Sequence, residues 1–154
     1  MKKALILGAD GQDGSYLAEF LLENEYQVIG WIPTSIPMSS RNIQHIVDRI
    51  IITKGDLHDQ DSLNATLAEY QPDEVYNLAA PSFPASSWNS AVQIGDIVAL
   101  GVVRILEAIR CVHSQTHFYQ ASSSEMFGNA IETPQNEMTP FHPRNPYGMA
   151  KLYA

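Results

Sequence analysis

A tyrosine and a lysine lie four residues apart in the stretch NPYGMAKLYA, residues 145–154. Residues at this spacing share one face of a helix, so the ammonium group of Lys151 can lie near the phenol of Tyr147. A free tyrosine has a pKa of about 10, and a nearby cation stabilises the phenolate and lowers that pKa. Such a pair can act as a general acid or base. By spacing alone, a surface tyrosine beside an unrelated lysine is the commoner explanation.

A second candidate site is the stretch GADGQDG, which places Gly8, Gly11 and Gly14 between a short apolar run and a helical pattern. Glycines let the chain turn tightly and let a pyrophosphate approach backbone N–H groups at a helix N-terminus, where the helix dipole favours negative charge. In this context the spacing predicts nucleotide binding through the backbone. A turn that needs glycine only for close packing is the alternative.

Composition narrows the class of protein and its partners. A chain of 154 residues, 45% of them hydrophobic, is expected to form one globular domain. Its formal charge of -8 argues against nucleic acid and anionic membranes as partners. We find no signal peptide or membrane-spanning stretch and expect a cytoplasmic protein. The single cysteine, Cys111, lies in an apolar periodic segment and is expected to be buried. The five histidines are scattered without metal-ligand spacing, so no metal site is expected.

The candidate sites need a scaffold, and the sequence alternates strand-like with helix-like segments. Strands are expected at KALILG, QVIGWI, DRIIITKGD, DEVYNLAA and HFYQASSSE, and helices at SYLAEFLLENE, DSLNATLAEYQ and AVQIGDIVALGVVRILEAIRC. A last helix starts at Pro146, capped by Asn145. The repeated β-α-β order predicts an α/β fold, a Rossmann-like doubly wound parallel sheet. Ligands of such sheets bind beyond the carboxyl ends of the strands, where the glycine turn lies.

Further motifs follow the strands: GDL at residues 55–57, NLAA at 77–80 and SSSE at 122–125. Together with the glycine triplet and YGMAK, they resemble the extended short-chain dehydrogenase/reductase superfamily over the whole chain. FYQASSSEMFG, TPFHPRNPYG and AKLYA resemble, within it, the GDP-mannose 4,6-dehydratase family. The resemblance implies a longer enzyme whose NAD(P)-binding Rossmann-like domain is residues 1–154. That domain would be incomplete, truncated after the start of the catalytic helix, and inactive without the C-terminal substrate-binding part.

The resemblance also implies a reaction and four catalytic residues. Tyr147 would take the proton of the sugar 4-hydroxyl while hydride leaves C4 for the nicotinamide, and Lys151 would hold the phenolate and the nicotinamide ribose. Ser123 would hydrogen-bond the 4-oxygen. Glu125 would remove the C5 proton as water leaves C6, after which hydride returns to C6. The implied substrate is a nucleotide sugar, GDP-mannose, and a homo-oligomer is a further expectation.

The expected cofactor is NADP or NAD. Its implied contacts come from the turn and the loops that follow the strands, and from the last helix: Gly8, Asp10, Gly11, Gln12, Asp13, Gly14, Arg41, Asp56, Leu57, Leu78, Ala79, Ala80, Tyr147 and Lys151. Asp56 resembles a residue that contacts the adenine amino group, and a loop-capping aspartate explains it equally well.

After the second strand the sequence reads Pro33, Thr34 and Ser35, with neither the arginines of NADP-preferring relatives nor an acidic residue for a free ribose. The choice between NAD and NADP therefore stays open.

Other departures from the family keep alternative functions open. The loop after NLAA reads Pro81, Ser82, Phe83 and Pro84 where the family usually has QSHV, and valines at 98 and 102 replace a usual Asn or Asp and a usual Thr. These changes suggest a catalytically degenerate NAD(P)-binding homologue as one alternative. A nucleotide-sugar epimerase or decarboxylase is another, because a glutamate at position 125 also resembles those enzymes.

Overall fold

The computed structural model describes residues 1–34, 41–81 and 84–154. The chain forms two compact units. Residues 1–79 and 104–121 make up the first, called the sheet unit, and residues 80–103 and 122–154 make up the second, called the helical unit. The expectation of one incomplete NAD(P)-binding domain over residues 1–154 stays a prediction.

The sheet unit contains five parallel strands in the order β3-β2-β1-β4-β5. The strands are β1 (Lys3–Leu7), β2 (Gln27–Pro33), β3 (Ile51–Gly55), β4 (Glu74–Asn77) and β5 (His117–Gln120). Chain order reverses between β1 and β4, and at such a point a doubly wound sheet opens a crevice beyond its carboxyl ends. The predicted α/β fold with a Rossmann-like parallel sheet is confirmed.

Helices cover this sheet and explain why its first strand is a continuous apolar run. The sheet unit holds α1 (Gln12–Glu23), a 3-10 helix (Gln44–Arg49), α2 (Gln60–Tyr70) and residues 104–112 of a longer helix. Ala4 and Ile6 of β1 share a core cluster with Leu21 of α1. Leu5 and Leu7 are also buried, and alternation along a strand places them on the opposite face. Strand β1 is thus buried on both faces.

The helical unit carries the remaining helices. They are a 3-10 helix (Pro84–Ser90), α3 (Ala91–Ile94), a π-helical segment (Gly95–Leu100), the first residues of α4 (Gly101–Val112), a 3-10 turn (Ser124–Met126) and α5 (Pro146–Tyr153). The long helix predicted over 91–111 therefore forms, with a π-helical middle that its sequence did not indicate. A small apolar core joins α3 and the π segment to α5: Ile94, Val98, Ala99, Tyr147 and Ala150.

One expectation about the surface was wrong. Cys111 is exposed, not buried. Its sulfur donates to Glu107 Oε1 at 3.4 Å and accepts from Arg110 Nη2 at 3.3 Å. The buried face of α4 instead carries Ile105 and Ala108, so the thiol lies on the polar side of that helix.

Two further features of the described residues concern membrane-spanning helices and metal ligands. None of their helices has the length and apolar content that crossing a membrane requires. They contain no group of three or more His, Cys, Asp or Glu side chains placed to hold a metal ion.

Candidate cofactor and catalytic sites

The glycine turn follows β1 at the point where the strand order reverses. Gly8 has a φ of 84°, in the left-handed region that favours glycine. Its N–H donates to the carbonyl of Trp31 at 3.0 Å. A Cβ at Gly8 would lie 3.0 Å from both Cα and N of Ala79, so the turn runs against the residues that follow β4. Gly8 is required by its conformation and by this close approach.

Helix α1 begins directly after this turn, and its N-terminus suits an anion. Gly11 occupies the N-cap position and provides no side-chain cap. Gly11, Gln12 and Asp13 are exposed, and a Cβ at Gly14 would lie only 2.2 Å from the carbonyl oxygen of Gly8. The helix start is thus packed tightly on the turn while its first N–H groups meet no capping side chain. A pyrophosphate is the kind of group that this arrangement can bind.

A residue that sequence reasoning missed ties the loop after β2 to the glycine turn. Asn42 Nδ2 donates to the carbonyl of Asp10 at 3.0 Å. Its neighbour Arg41 is exposed, and Ser35 lies outside the described residues. The only sequence signal for Asn42 was its position next to Arg41. Nothing in these contacts decides between NAD and NADP.

The loop after β3 is stabilised by its own aspartate. Asp56 Oδ1 accepts from the backbone N–H of His58 at 2.9 Å and lies 2.8 Å from His58 Nδ1. The backbone hydrogen bond, and then the side-chain one, lower the pKa of Asp56. Leu57 is buried, and its carbonyl accepts from Arg104 Nη1 at 3.2 Å. Asp56 therefore does cap its loop, and its contact with adenine stays a prediction.

Asn77 organises the end of β4 and was not among the predicted site residues. It is 2% exposed, and its Nδ2 donates to Gln120 Oε1 at 2.8 Å. Its Oδ1 accepts from the N–H of Ala79 at 3.3 Å. The NLAA motif was the available signal for it. By holding Ala79, Asn77 positions the chain that meets Gly8, and Leu78 and Ala79 are half-buried there.

The tyrosine and lysine of α5 lie together inside the helical unit. Tyr147 is 8% and Lys151 5% exposed, and the lysine Nζ lies 5.8 Å from the centroid of the tyrosine ring. The neighbouring predicted residue Ala80 is half-buried and packs against the same core. The alternative of a surface tyrosine beside an unrelated lysine is therefore wrong for this pair.

Burial sets the proton affinity of this pair. It raises the pKa of Tyr147, an interaction with Ser123 acts in the opposite direction, and the charge of Glu125 raises the pKa further. Burial also lowers the pKa of Lys151. The expectation of a lowered tyrosine pKa is not met, because the loss of hydration in an apolar core that includes Val98 is the largest effect on the Tyr147 pKa and raises it.

Ser123 and Glu125 meet the same helix at its start. Ser123 Oγ accepts from the N–H of Glu125 at 3.2 Å. Glu125 Oε2 accepts from Asn145 Nδ2 at 2.5 Å, and a Cβ at Gly148 would lie 2.5 Å from the carbonyl oxygen of Glu125. The helical unit thus brings all four predicted catalytic residues into one neighbourhood. A cavity of about 330 Å³ opens beside Glu125 and is also lined by Gln135 and Arg144.

The departures from the family pattern have mixed structural meanings. Val98 and Val102 are 2% and 3% exposed, so both fit the interior of the helical unit as apolar residues. Pro81 is exposed, while Ser82 and Phe83 lie outside the described residues. Each valine therefore packs as an apolar side chain where the family usually has a polar one. Val98 shares its apolar cluster with Tyr147.

Comparison with known proteins gives consistent results over the whole chain. The family model described as GDP-mannose 4,6 dehydratase matches residues 5–154. The chain is 48% identical to a GDP-mannose 4,6-dehydratase of Yersinia enterocolitica and 49% identical to one of Vibrio cholerae, over 100% and 99% of its own length. It spans 44% of the length of each of these relatives.

A solved structure gives the same fold. The UDP-glucose 4-epimerase of Brucella ovis, in complex with NAD, superposes with a TM-score of 0.87 at 26% identity. The match covers 99% of this chain and 45% of the epimerase.

Proposed function

Because the chain belongs to the GDP-mannose 4,6-dehydratase family, we propose that the full-length protein is an NAD(P)-dependent nucleotide-sugar 4,6-dehydratase, a lyase acting on GDP-mannose. The observation that carries this proposal is the placement of Glu125. Its carboxylate is hydrogen-bonded at the start of the helix that holds Tyr147 and Lys151. A carboxylate beside a buried tyrosine and lysine matches a reaction that needs a second base in addition to the tyrosine.

The cofactor would be NADP or NAD, and the residues present fit a dinucleotide. The support is the uncapped N-terminus of α1 and the glycine turn, in which a Cβ at Gly8 or Gly14 would collide with backbone. The NAD bound to the epimerase of similar fold agrees with this. When bound, the cofactor accepts a hydride from the sugar and later returns it.

The residues of the helical unit would transfer protons and orient the substrate and the cofactor. Tyr147 would take the proton of the sugar 4-hydroxyl, Ser123 would hydrogen-bond the 4-oxygen, and Lys151 would orient the tyrosine and the ribose. Oxidation at C4 acidifies the hydrogen at C5. Glu125 would remove that proton and donate it to the departing C6 hydroxyl, so that the C5–C6 double bond forms as water leaves.

The test is product analysis with the full-length protein. We expect conversion of GDP-mannose to the 4-keto-6-deoxy product, and a loss of about 10²- to 10⁴-fold in rate for Glu125→Gln, with cofactor binding retained. Solvent deuterium should exchange at C5 in the parent and not in the variant. Parental exchange in Glu125→Gln would assign the base to another group, and a product epimerised without loss of water would favour an epimerase.

Further expectations accompany this proposal. The identities of 48% and 49% to dehydratases favour that activity over the epimerase or decarboxylase alternative. The 154-residue chain alone is expected to have no turnover, since it spans less than half of its relatives. A full-length protein that binds cofactor without turnover would support the degenerate alternative suggested by Val98 and Val102. A homo-oligomer and a cytoplasmic location also stay proposals.

A further inference from the structure

Asn145 has two separate hydrogen-bonding tasks. Its Oδ1 accepts from the N–H of Gly148 at 2.7 Å, which caps helix α5. Its Nδ2 donates to Oε2 of Glu125 at 2.5 Å. The sequence pattern predicted the first contact and gave no sign of the second. A cap needs only an acceptor, so the amide N–H₂ is surplus to the cap.

The second contact reaches a carboxylate that is otherwise held through its backbone. The N–H of Glu125 donates to Ser123 Oγ at 3.2 Å, and its carbonyl lies so close to Gly148 that a Cβ there would be at 2.5 Å. These contacts fix the 3-10 turn, but they leave the side-chain torsions of the glutamate undetermined. Among the described residues, Asn145 is the one whose hydrogen bond holds the Glu125 carboxylate itself.

We propose that Asn145 is a positioning residue for Glu125: its amide N–H₂ fixes the ionised carboxylate at the start of the helix that carries Tyr147 and Lys151. This proposal rests on the proposed function only for the role of Glu125 as a base. The hydrogen bond between Asn145 and Glu125 does not depend on that function. An ionised carboxylate only accepts hydrogen bonds, and the amide nitrogen only donates them, so the pair is matched in one protonation state. One side chain thus couples the helix start to the second base.

The chain offers variants that separate the two tasks. Asn145→Asp and Asn145→Ser both keep a good helix cap. Asp has no N–H₂ and places a like charge beside the carboxylate, while the shorter Ser adds no charge. If Asn145 only caps the helix, both variants should match the parent in Tm and in rate. If it positions Glu125, both should retain Tm and lose rate, with Asp losing more.

A double-mutant cycle in the full-length protein is the decisive kinetic test. We expect Asn145→Ser to lower the rate of product formation about 10-fold or more with KM little changed, and to have no further effect on the residual rate in a Glu125→Gln background. Rate losses that multiply in the double variant would overturn the proposal. Rates unaffected by Glu125→Gln would overturn the proposed function of Glu125 and leave the contact to be judged by the next measurement.

The 154-residue chain itself gives a readout that needs no turnover. The side-chain ¹⁵N–H₂ signals of Asn145 should shift in Glu125→Ala relative to the parent, because the carboxylate that accepts the hydrogen bond is removed. The same signals should not shift in Glu137→Ala, at an exposed position of the same unit. Signals of Asn145 that are unchanged in Glu125→Ala, or that shift equally in Glu137→Ala, would overturn the positioning role.

Discussion

The two units use their charged side chains in opposite ways. In the sheet unit, Glu74 accepts hydrogen bonds from Tyr76 at 2.7 Å and from Tyr26 and Lys2 at 3.1 Å. These contacts, the one from Tyr76 first, lower its pKa and outweigh the effect of its burial. In the helical unit, burial lowers the pKa of Lys151. The charge of Glu74 therefore stabilises its unit, whereas the charge of Lys151 destabilises its own.

This difference distinguishes a scaffold from a site. A group that is buried at a cost to stability persists where function needs it, and perturbed pKa values concentrate at such positions. The sheet unit offers backbone N–H groups, carried on an apolar core, to a ligand. Its charged side chains are not needed for that binding and can stabilise the fold. The helical unit gathers side chains that titrate, which is consistent with the catalytic roles proposed for them.

The largest effect that would separate the units is expected at their glycines. A Cβ at Gly14 would lie 2.2 Å from a backbone oxygen, whereas a Cβ at Gly95 would have nothing within 4 Å. We expect Gly14→Ala to destabilise the chain by about 3 kcal/mol or more. The matched Gly95→Ala should be neutral or stabilise by up to about 1 kcal/mol. Urea unfolding measures both, and equal effects would contradict the packing of α1 on the turn.

The two units also show which features of the structure could be predicted from the sequence. The strand β1 and the glycine turn were predictable because a continuous apolar run and a glycine spacing are local signals. The network of Asn77 with Gln120 was not, since its partners are 43 residues apart. The raised pKa of Tyr147 was missed for a similar reason: it depends on burial against the π-helical segment, which no local pattern indicated.

The next effect concerns binding rather than folding. Gly11 is exposed, and a Cβ there would be 3.2 Å from the Gly8 oxygen, an approach that a small adjustment can relieve. We expect Gly11→Val to weaken binding of NADPH or NADH by about 10-fold or more, because its side chain enters the space of the pyrophosphate. The Tm should change little. Calorimetric titration checks this, and parental affinity in the variant would remove the glycine turn as the cofactor site.

A smaller effect should follow from Glu74 and depend on pH. Its folded pKa lies below the ordinary value of 4.5, so its stabilising effect is present above that pH and is lost as pH falls through the folded pKa. We expect Glu74→Gln to destabilise by about 1 kcal/mol near neutral pH and by less in acid. Glu137→Gln, at an exposed position, is the control. A cost that is the same at all pH values would show that the charge is irrelevant.

The smallest expected effect has the opposite sign and concerns Lys151. Its folded pKa lies below the ordinary value of 10.5, so between these two values the unfolded chain binds the proton and the folded chain does not. Stability from this group is thus complete above pH 10.5 and is lost as pH falls through the folded pKa. Removing the charge should therefore help most near neutral pH.

We expect Lys151→Met to raise stability near pH 7 by on the order of 1 kcal/mol, with the gain shrinking as pH rises, because methionine fills a similar volume without a charge that must be desolvated. Lys54→Met, at an exposed strand position, should change stability little at any pH. Chemical unfolding of the three proteins across the alkaline range measures the difference. A variant that is less stable than the parent near pH 7 would show that the contacts of the lysine outweigh its burial. The proposed opposition between the two units would then fail, since both would be stabilised by their charges.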